Sequence, residues 1–394
     1  MGPLNTGCCF AKSCAAGVNQ APDLALATKH RLAALPILTL TAGEIPYQPS
    51  TAFMTSDPPI CSTPPGAREN LFLGIDVGGT NVKLGLVDAS GVIHAKDALS
   101  TRELVTPERV FNAALAFADQ KSSSAEYGKF NLAGIGLAVP GVLDSQEAVL
   151  REVVNLPGWK GKPLRDVLGQ ARDLPNVVVN DANSAAYAEH SLRSLGNKSL
   201  ALLTLGTGIG CGLVMNGSPY GGDHGCAGEL GHIAIRFGGE ALPCSCGKMG
   251  HLEAYAGSKG VVKQLHSLAT TSNNSEIKSL LETDSVTPRD IATRASSGCE
   301  LCNTVIEQTA EYLGQAIGQM AQVIDPAVVL LGGAMTFGGS QSEVGERFLA
   351  TVRNTIIATT LEEVGSHLQV EFASLGNDAG VIGAAMVAQQ VIAS

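Results

Sequence analysis

Between Glu229 and Glu253 the chain gathers two imidazoles and two thiols. They lie in Glu229-Leu-Gly-His232 and, after a short gap, in Cys244-Ser-Cys246-Gly-Lys-Met-Gly-His251-Leu-Glu253. Two Cys and two His within twenty residues form a four-ligand zinc set, His232, Cys244, Cys246 and His251. Thiolates and imidazoles are softer than the oxygens that Mg²⁺ and Ca²⁺ prefer, so the set favours Zn²⁺. Four protein ligands imply a closed, structural site that pins a glycine-rich loop with little core of its own. The competing reading is two unrelated thiols near two His. Glu229 and Glu253 bracket the cluster. Carboxylates grip sugar hydroxyls well, because they accept hydrogen bonds in fixed directions. An imidazole that ligates a metal with one nitrogen has the other free, so His232 could join metal to ligand. Otherwise the two Glu are surface charges.

A second set of residues suits phosphate. Gly78-Gly79-Thr80 and Gly206-Thr207-Gly208 each interrupt an apolar run. Glycines let backbone N–H groups close on phosphate oxygens, and Thr adds a hydroxyl donor. Either turn alone could be a plain hairpin; two matched copies favour phosphate. Asp76, just before the first turn, could hold Mg²⁺ through water, or simply cap the turn. Lys83 faces the phosphates or solvent. No Walker loop is present, and a dinucleotide fingerprint would have to open a helix, whereas strand-like runs follow both turns.

A third signal is Asn180-Asp181, which closes an all-valine strand and precedes a helix. A carboxylate at the carboxyl end of such a strand points into the cleft where α/β proteins bind ligands. It could take a proton from a reacting hydroxyl as general base. Equally, Asp is a preferred helix N-cap.

The elements that must position these groups are legible. Strands are expected at Leu71–Asp76, Val82–Val87, Leu132–Val139, Val177–Asn180, Leu200–Leu205, Cys211–Met215 and Pro326–Leu331. Helices are expected over Pro107–Asp119, Ala182–Leu195, Cys299–Val323 and Gly380–Ile392. The strand–glycine turn–strand pattern recurs after about 125 residues, which suggests a duplicated lobe. Alternating strands and helices in two halves indicate an α/β protein with a cleft between lobes. The expected domains are 1–70 as an extension, 71–185 as a small lobe completed by 380–394, and 186–379 as a large lobe carrying the zinc loop 229–253.

The 394 residues are 45% apolar and 16% charged, which fits a globular enzyme. A net charge of −10 gives no basic face, so nucleic acid and anionic membrane are not expected partners. Ten Cys without scaffold spacing indicate a reducing compartment, hence the cytoplasm. Residues 1–70 are rich in Pro, Ser and Thr, with four Lys/Arg against four Asp/Glu, and read as a disordered extension. Their Lys29-His30-Arg31 and the apolar run after it resemble a signal core, but Pro36 interrupts it far from the start. Met1-Gly2 with Thr6 fits a myristoylation pattern against which Pro3 argues. Met54 offers a start shortly before the first strand.

Taken together, residues 71–394 resemble the ROK (repressor, open reading frame, kinase) sugar kinases. The resemblance rests on Asp76-Val-Gly-Gly-Thr80, Ala138-Val-Pro-Gly141, Asn155-Leu-Pro-Gly-Trp159, Asn180-Asp-Ala-Asn183, Gly206-Thr-Gly-Ile-Gly210, Glu229-Leu-Gly-His232 and the Cys-x-Cys-Gly-x-x-Gly-x-x-Glu run. It implies an actin-like (ribonuclease H-like) ATPase fold of two lobes around a cleft, and transfer of phosphoryl from ATP-Mg²⁺ to the 6-hydroxyl of a hexose, glucose first. By that similarity Asp181 is the base, and Asn155, Asn180, Glu229, His232 and Glu253 hold the sugar. Gly78, Gly79, Thr80, Thr207 and Gly208 form the phosphate turns with Asp76 and Lys83 nearby, and Gly332-Gly333 faces the adenosine. The family suggests a dimer or tetramer. It usually has Cys where this chain has His251. Other readings within it are a kinase for N-acetylmannosamine, fructose or allose, polyphosphate as donor, and a sugar-sensing regulator; residues 1–70 lack the helix-turn-helix periodicity the last requires.

Overall fold

A computed structural model describes residues 69–124, 130–153, 156, 158–282 and 285–393. Asn155 and the motifs of residues 1–68 lie outside the described residues. Glu69 and Asn70, assigned from sequence to the extension, instead open the first strand.

The first half contains β1 (Glu69–Val77), β2 (Asn81–Asp88), β3 (Ile93–Ser100), α1 (Pro107–Ser122), β4 (Phe130–Val139), β5 (Val142–Asp144), β6 (Val149–Glu152), α2 (Leu164–Ala171) and β7 (Asn176–Asn180). Helix α3 (Asp181–Leu192) follows directly. Next come β8 (Leu200–Leu205), β9 (Ile209–Met215), β10 (Ser218–Pro219), α4 (Glu253–Ala256), α5 (Ser258–Thr271), α6 (Ser275–Leu281), α7 (Pro288–Ser296) and α8 (Glu300–Ile324). The chain ends with β11 (Val328–Gly332), α9 (Glu343–Thr359), α10 (Glu362–His367), β12 (Gln369–Phe372) and α11 (Ala379–Ala393).

Two five-stranded sheets result, ordered β3-β2-β1-β4-β7 and β10-β9-β8-β11-β12. In each, the first three strands in chain order pair antiparallel and the last two add in parallel. The repeat expected from the two glycine turns is therefore a repeat of whole sheet topology. The central strands β1 and β8 are buried almost throughout, which accounts for their near-continuous apolar runs. Beneath the first sheet Trp159 is fully buried, edge-on to Phe111 at 6.1 Å, with its indole N–H donated to the Val105 carbonyl. A larger core joins the second sheet to α5, α8 and α9.

Helices α3 and α11 bind the halves together. α11 lies on β1 and β4, and α3 lies on β9. Their crossing is so close that a Cβ on Gly383 would sit 1.8 Å from the Ser184 carbonyl oxygen. On β9, a Cβ on Gly212 would sit 2.0 Å from the Ala182 carbonyl oxygen. The Ser184 hydroxyl donates to the Gly380 carbonyl at 2.8 Å across the same contact.

Some boundaries differ from expectation. The helix expected to reach Leu195 stops at Leu192, because Ser194 and Gly196 take positive φ angles of 54° and 61°. The strand expected from Cys211 begins at Ile209, since Leu205 pairs with Ile209 and tightens the turn to three residues. Sequence reading named neither the β5–β6 hairpin nor α2, α4–α7, α9 and α10; several are short, and the glycine-rich stretch before α4 masks periodicity. Among the described residues no helix is long and apolar enough to cross a membrane.

The helix crossing yields a direct prediction. Gly383→Val overpacks α3 against α11 and lowers stability by about 1–3 kcal/mol. Urea unfolding followed by the fluorescence of Trp159, the single Trp, reads this as a lower midpoint. An unchanged midpoint contradicts the close crossing.

Candidate active site

Strand β7 ends and α3 begins without a loop. Asn180 takes the N-cap position, with φ −67° and ψ 144°, and its side-chain oxygen accepts the Asn183 N–H at 3.1 Å. Its amide nitrogen donates to the Gly141 carbonyl at 3.2 Å, which fixes the Pro140-Gly141 bend beside the helix start. The capping role left open for Asp181 thus falls to its neighbour. Asp181 is the first helical residue, and one of its oxygens accepts the Ala182 N–H at 2.9 Å. Burial pushes its pKa up to about 6, helped by the nearby charges of Asp76 and Glu229 and opposed by that N–H.

Three cavities run in series past this residue. The first, of about 590 Å³, is lined by Asn180, Asp181 and Glu229 together with Gly141 and Arg165. The second, of about 560 Å³, takes in Asp76, Lys83, Asp181, Thr207, Gly208 and Glu253. The third, of about 230 Å³, is bounded by Gly332, Gly333, Thr336 and Glu189. Asp181, Ala182 and Gly210 belong to both the first and the second. Gly333, Thr204 and Ala379 belong to both the second and the third.

In the second cavity Asp76 and Lys83 face each other across the β1–β2 ladder, and their side chains pair at 3.3 Å. Burial raises the Asp76 pKa more than the Lys83 ammonium lowers it. The same ammonium donates to the Asn377 carbonyl at 3.0 Å. A Cβ on Gly380, in the first turn of α11, would touch the Asp76 carboxylate at 2.6 Å. Glu253 is not in the first cavity with Glu229. One of its oxygens accepts the Ile209 N–H at 3.2 Å and the other the Ser245 hydroxyl at 2.5 Å, so it buttresses the Gly206–Gly208 turn. The Gly78–Thr80 turn lies outside the second cavity, so the structure does not bring both glycine turns to one cavity. Buried Thr101 holds this first turn, its hydroxyl donating to the Gly78 carbonyl at 2.7 Å and its N–H to that of Thr80 at 3.0 Å.

Sequence reasoning missed Thr101 and Glu189. Glu189 is 1% exposed and accepts from the Ser374 and Leu375 N–H groups, the Ser374 hydroxyl and Arg193. It therefore fixes the loop that carries Asn377 toward Lys83. An acidic residue next to the buried Ala185–Ala188 run of α3 was its one signal; Thr101 had none.

The Cys and His set does assemble. One ligand atom from each of His232, Cys244, Cys246 and His251 lies within 4.8 Å of all the others. His232 Nδ1 is 3.6 Å from Cys244 Sγ, and His251 Nδ1 is 3.2 Å from Cys246 Sγ. A tetrahedral metal with sulfur at ~2.3 Å and nitrogen at ~2.0–2.1 Å requires spacings of this order. The donor chemistry and the geometry both fit a bound metal ion. The other nitrogen of His232, Nε2, points to Glu229 Oε2 at 3.9 Å, so the cluster reaches the first cavity through this imidazole.

The paired sheets and the cleft along α3 and α11 are those of the actin-like ATPases. A family model described as the ROK family matches residues 72–391, and the chain belongs to that family. It is 33% identical over 321 residues to a glucokinase of Halalkalibacterium halodurans, covering 81% of this chain and 95% of that one. A ROK hexokinase from Thermus thermophilus superposes with a TM-score of 0.66 at 29% identity, over 82% of this chain and 99% of that one. A ROK family glucokinase from Streptomyces griseus, solved with glucose and AMPPNP, does so with a TM-score of 0.64 at 29% identity, over 81% and 99%.

The capping geometry makes a second prediction. Asn180→Ala removes both the N-cap and the hold on Gly141, at a cost of about 1 kcal/mol. Chemical denaturation measures it; Asn180→Asp keeps the cap and recovers most of the loss.

Proposed function

We propose that this protein is a hexokinase of the glucokinase type, transferring the γ-phosphoryl of ATP to the 6-hydroxyl of a hexose. One observation carries the reading. Asp181 is the single ionisable side chain shared by the cavity suited to an acceptor and the cavity suited to a phosphate tail. The names of the relatives support glucose as the acceptor.

In this reading the hexose occupies the first cavity. Asn180 presents its amide there, Glu229 accepts sugar hydroxyl protons, and His232 adds a ring nitrogen. Asn155 and Glu253 complete the set as the cleft closes. The triphosphate lies along Gly206–Gly208 with its adenosine toward Gly332-Gly333, while Gly78–Thr80 approaches from the first sheet. Asp76 and Lys83 hold the phosphate end, where Mg²⁺ arriving with ATP would supply neutralisation of the charge on the transferring oxygens. Asp181 aligns the acceptor oxygen and takes its proton. A carboxylate with a pKa near 6 is ionised at neutral pH, yet more basic than an ordinary one, which suits a general base. His232, Cys244, Cys246 and His251 would hold Zn²⁺, which would supply a structural crosslink keeping His232 and Glu253 in register.

The defining experiment is ATP-dependent phosphorylation across a hexose panel with Mg²⁺. Glucose dominant in kcat/KM is the expected result. Preference for N-acetylmannosamine, fructose or allose changes the acceptor and leaves the mechanism; no phosphorylated sugar removes the proposal. Asp181→Asn lowers kcat about 10²–10⁴-fold while the variant still binds sugar. Because the base must be ionised, kcat/KM falls as pH drops through about 6, a higher limb than an ordinary carboxylate gives. Chelation or Cys246→Ser removes stoichiometric zinc and lowers the melting temperature together with activity.

A further inference from the structure

Cys299 and Cys302 take no part in the cleft. They form a Cys-x-x-Cys step, Cys299-Glu-Leu-Cys302, at the start of the 25-residue helix α8. Cys299 is the N-cap, with φ −66° and ψ 111°, and Cys302 is the third helical residue. An N-cap side chain folds back over that third residue, the reach by which Ser and Thr caps bond its amide. The Cys299 side chain makes no such cap bond to the helix, and Cys302 stands three residues on, at the Cys-x-x-Cys spacing of redox pairs. The two differ in access. Cys302 is 0% exposed, while Cys299 is half-buried and opens on a cavity of about 500 Å³ between α6 and α7. That cavity also presents Asp290 and the paired charges of Arg294 and Glu276. Charges of both signs beside an open sulfur suit a small zwitterionic molecule.

We propose that Cys299 and Cys302 form a redox-active dithiol, a modification site that closes to an internal disulfide by exchange with a low-molecular-weight disulfide of the glutathione kind. Cys299, as thiolate, attacks one sulfur of the small disulfide. Its S–S bond breaks, a mixed disulfide forms on Cys299, and one small thiolate leaves and takes up a proton. Cys302 then attacks the Cys299 sulfur, giving up its own proton, and the second small thiol departs. Two protein thiols are oxidised and one small disulfide is reduced to two thiols, so atoms and electrons balance. Burial and the neighbouring Cys299 hold the Cys302 thiol protonated in the resting state. The attack order follows from exposure, since Cys299 opens on the cavity and Cys302 is buried. Of the other described cysteines, Cys244 and Cys246 belong to the metal cluster, Cys211 is buried, and Cys226 has no Cys at this spacing.

The test treats the full-length, metal-loaded protein with excess oxidised glutathione, alkylates under denaturing conditions, and reads peptides by mass. The expected peptide spanning Cys299 and Cys302 has lost two hydrogens, carries no glutathione, and regains both thiols with dithiothreitol, while Cys211 is recovered alkylated. Cys302→Ser traps glutathione on Cys299, and Cys299→Ser leaves Cys302 unmodified. Two alkylated thiols in the treated wild type, a lasting glutathione adduct on its Cys299, or an adduct on Cys302 in Cys299→Ser would each overturn the proposal.

Discussion

Helices α3 and α11 cross with no room for a side chain between them. Gly383 meets the Ser184 carbonyl, and Gly212 lets α3 settle onto β9. Each helix begins where chemistry is placed: α3 at Asp181, and α11 beside Asp76, whose carboxylate the Gly380 position nearly touches. The first sheet itself sets the distance between the two carboxylates, with Asp76 on β1, Asp181 directly after β7 and β4 between them. It also brings their charges close enough for Asp76 to help raise the Asp181 pKa. Packing and electrostatics are here one constraint. A looser crossing would admit water beside them and, because burial is the largest cause of its raised pKa, return Asp181 toward an ordinary acid.

The rest of the site is built outward from that contact. Asn180 uses its side-chain oxygen on the helix start and one amide N–H on Gly141, leaving its other amide N–H and the Asp181 carboxylate to face the cavities. Glu189, farther along α3, holds the loop that reaches Lys83. The Cys/His cluster sits in a segment with few regular elements, and His232 and Glu253 tie that segment to both cavities. A closed metal set suits that segment, because a glycine-rich loop buries too little apolar surface to hold its own shape.

How much of this was legible in the sequence depends on range. The two hairpins, the all-valine strand before Asp181 and the Cys/His spacing are local patterns, and their residues lie where those patterns imply. The matched glycine turns pointed to a repeat that the sheet orders display in full. What stayed hidden depends on partners distant in sequence. Glu189 meets Ser374 across 185 residues, and Thr101 reads as an ordinary polar residue until it is seen holding the Gly78 turn. Glu253 was grouped with Glu229 because both flank the cluster, yet it packs on the β8–β9 turn, a placement that spacing alone does not encode.

The central claim is that Asp181 stands between acceptor and donor. A crystal structure with glucose and a non-hydrolysable ATP analogue tests it most directly. The account predicts the sugar 6-hydroxyl at ~2.6–3.2 Å from an Asp181 oxygen, with the terminal phosphate on the Gly206–Gly208 turn. A sugar whose 6-hydroxyl lies away from Asp181, or a triphosphate that bypasses that turn, would contradict it.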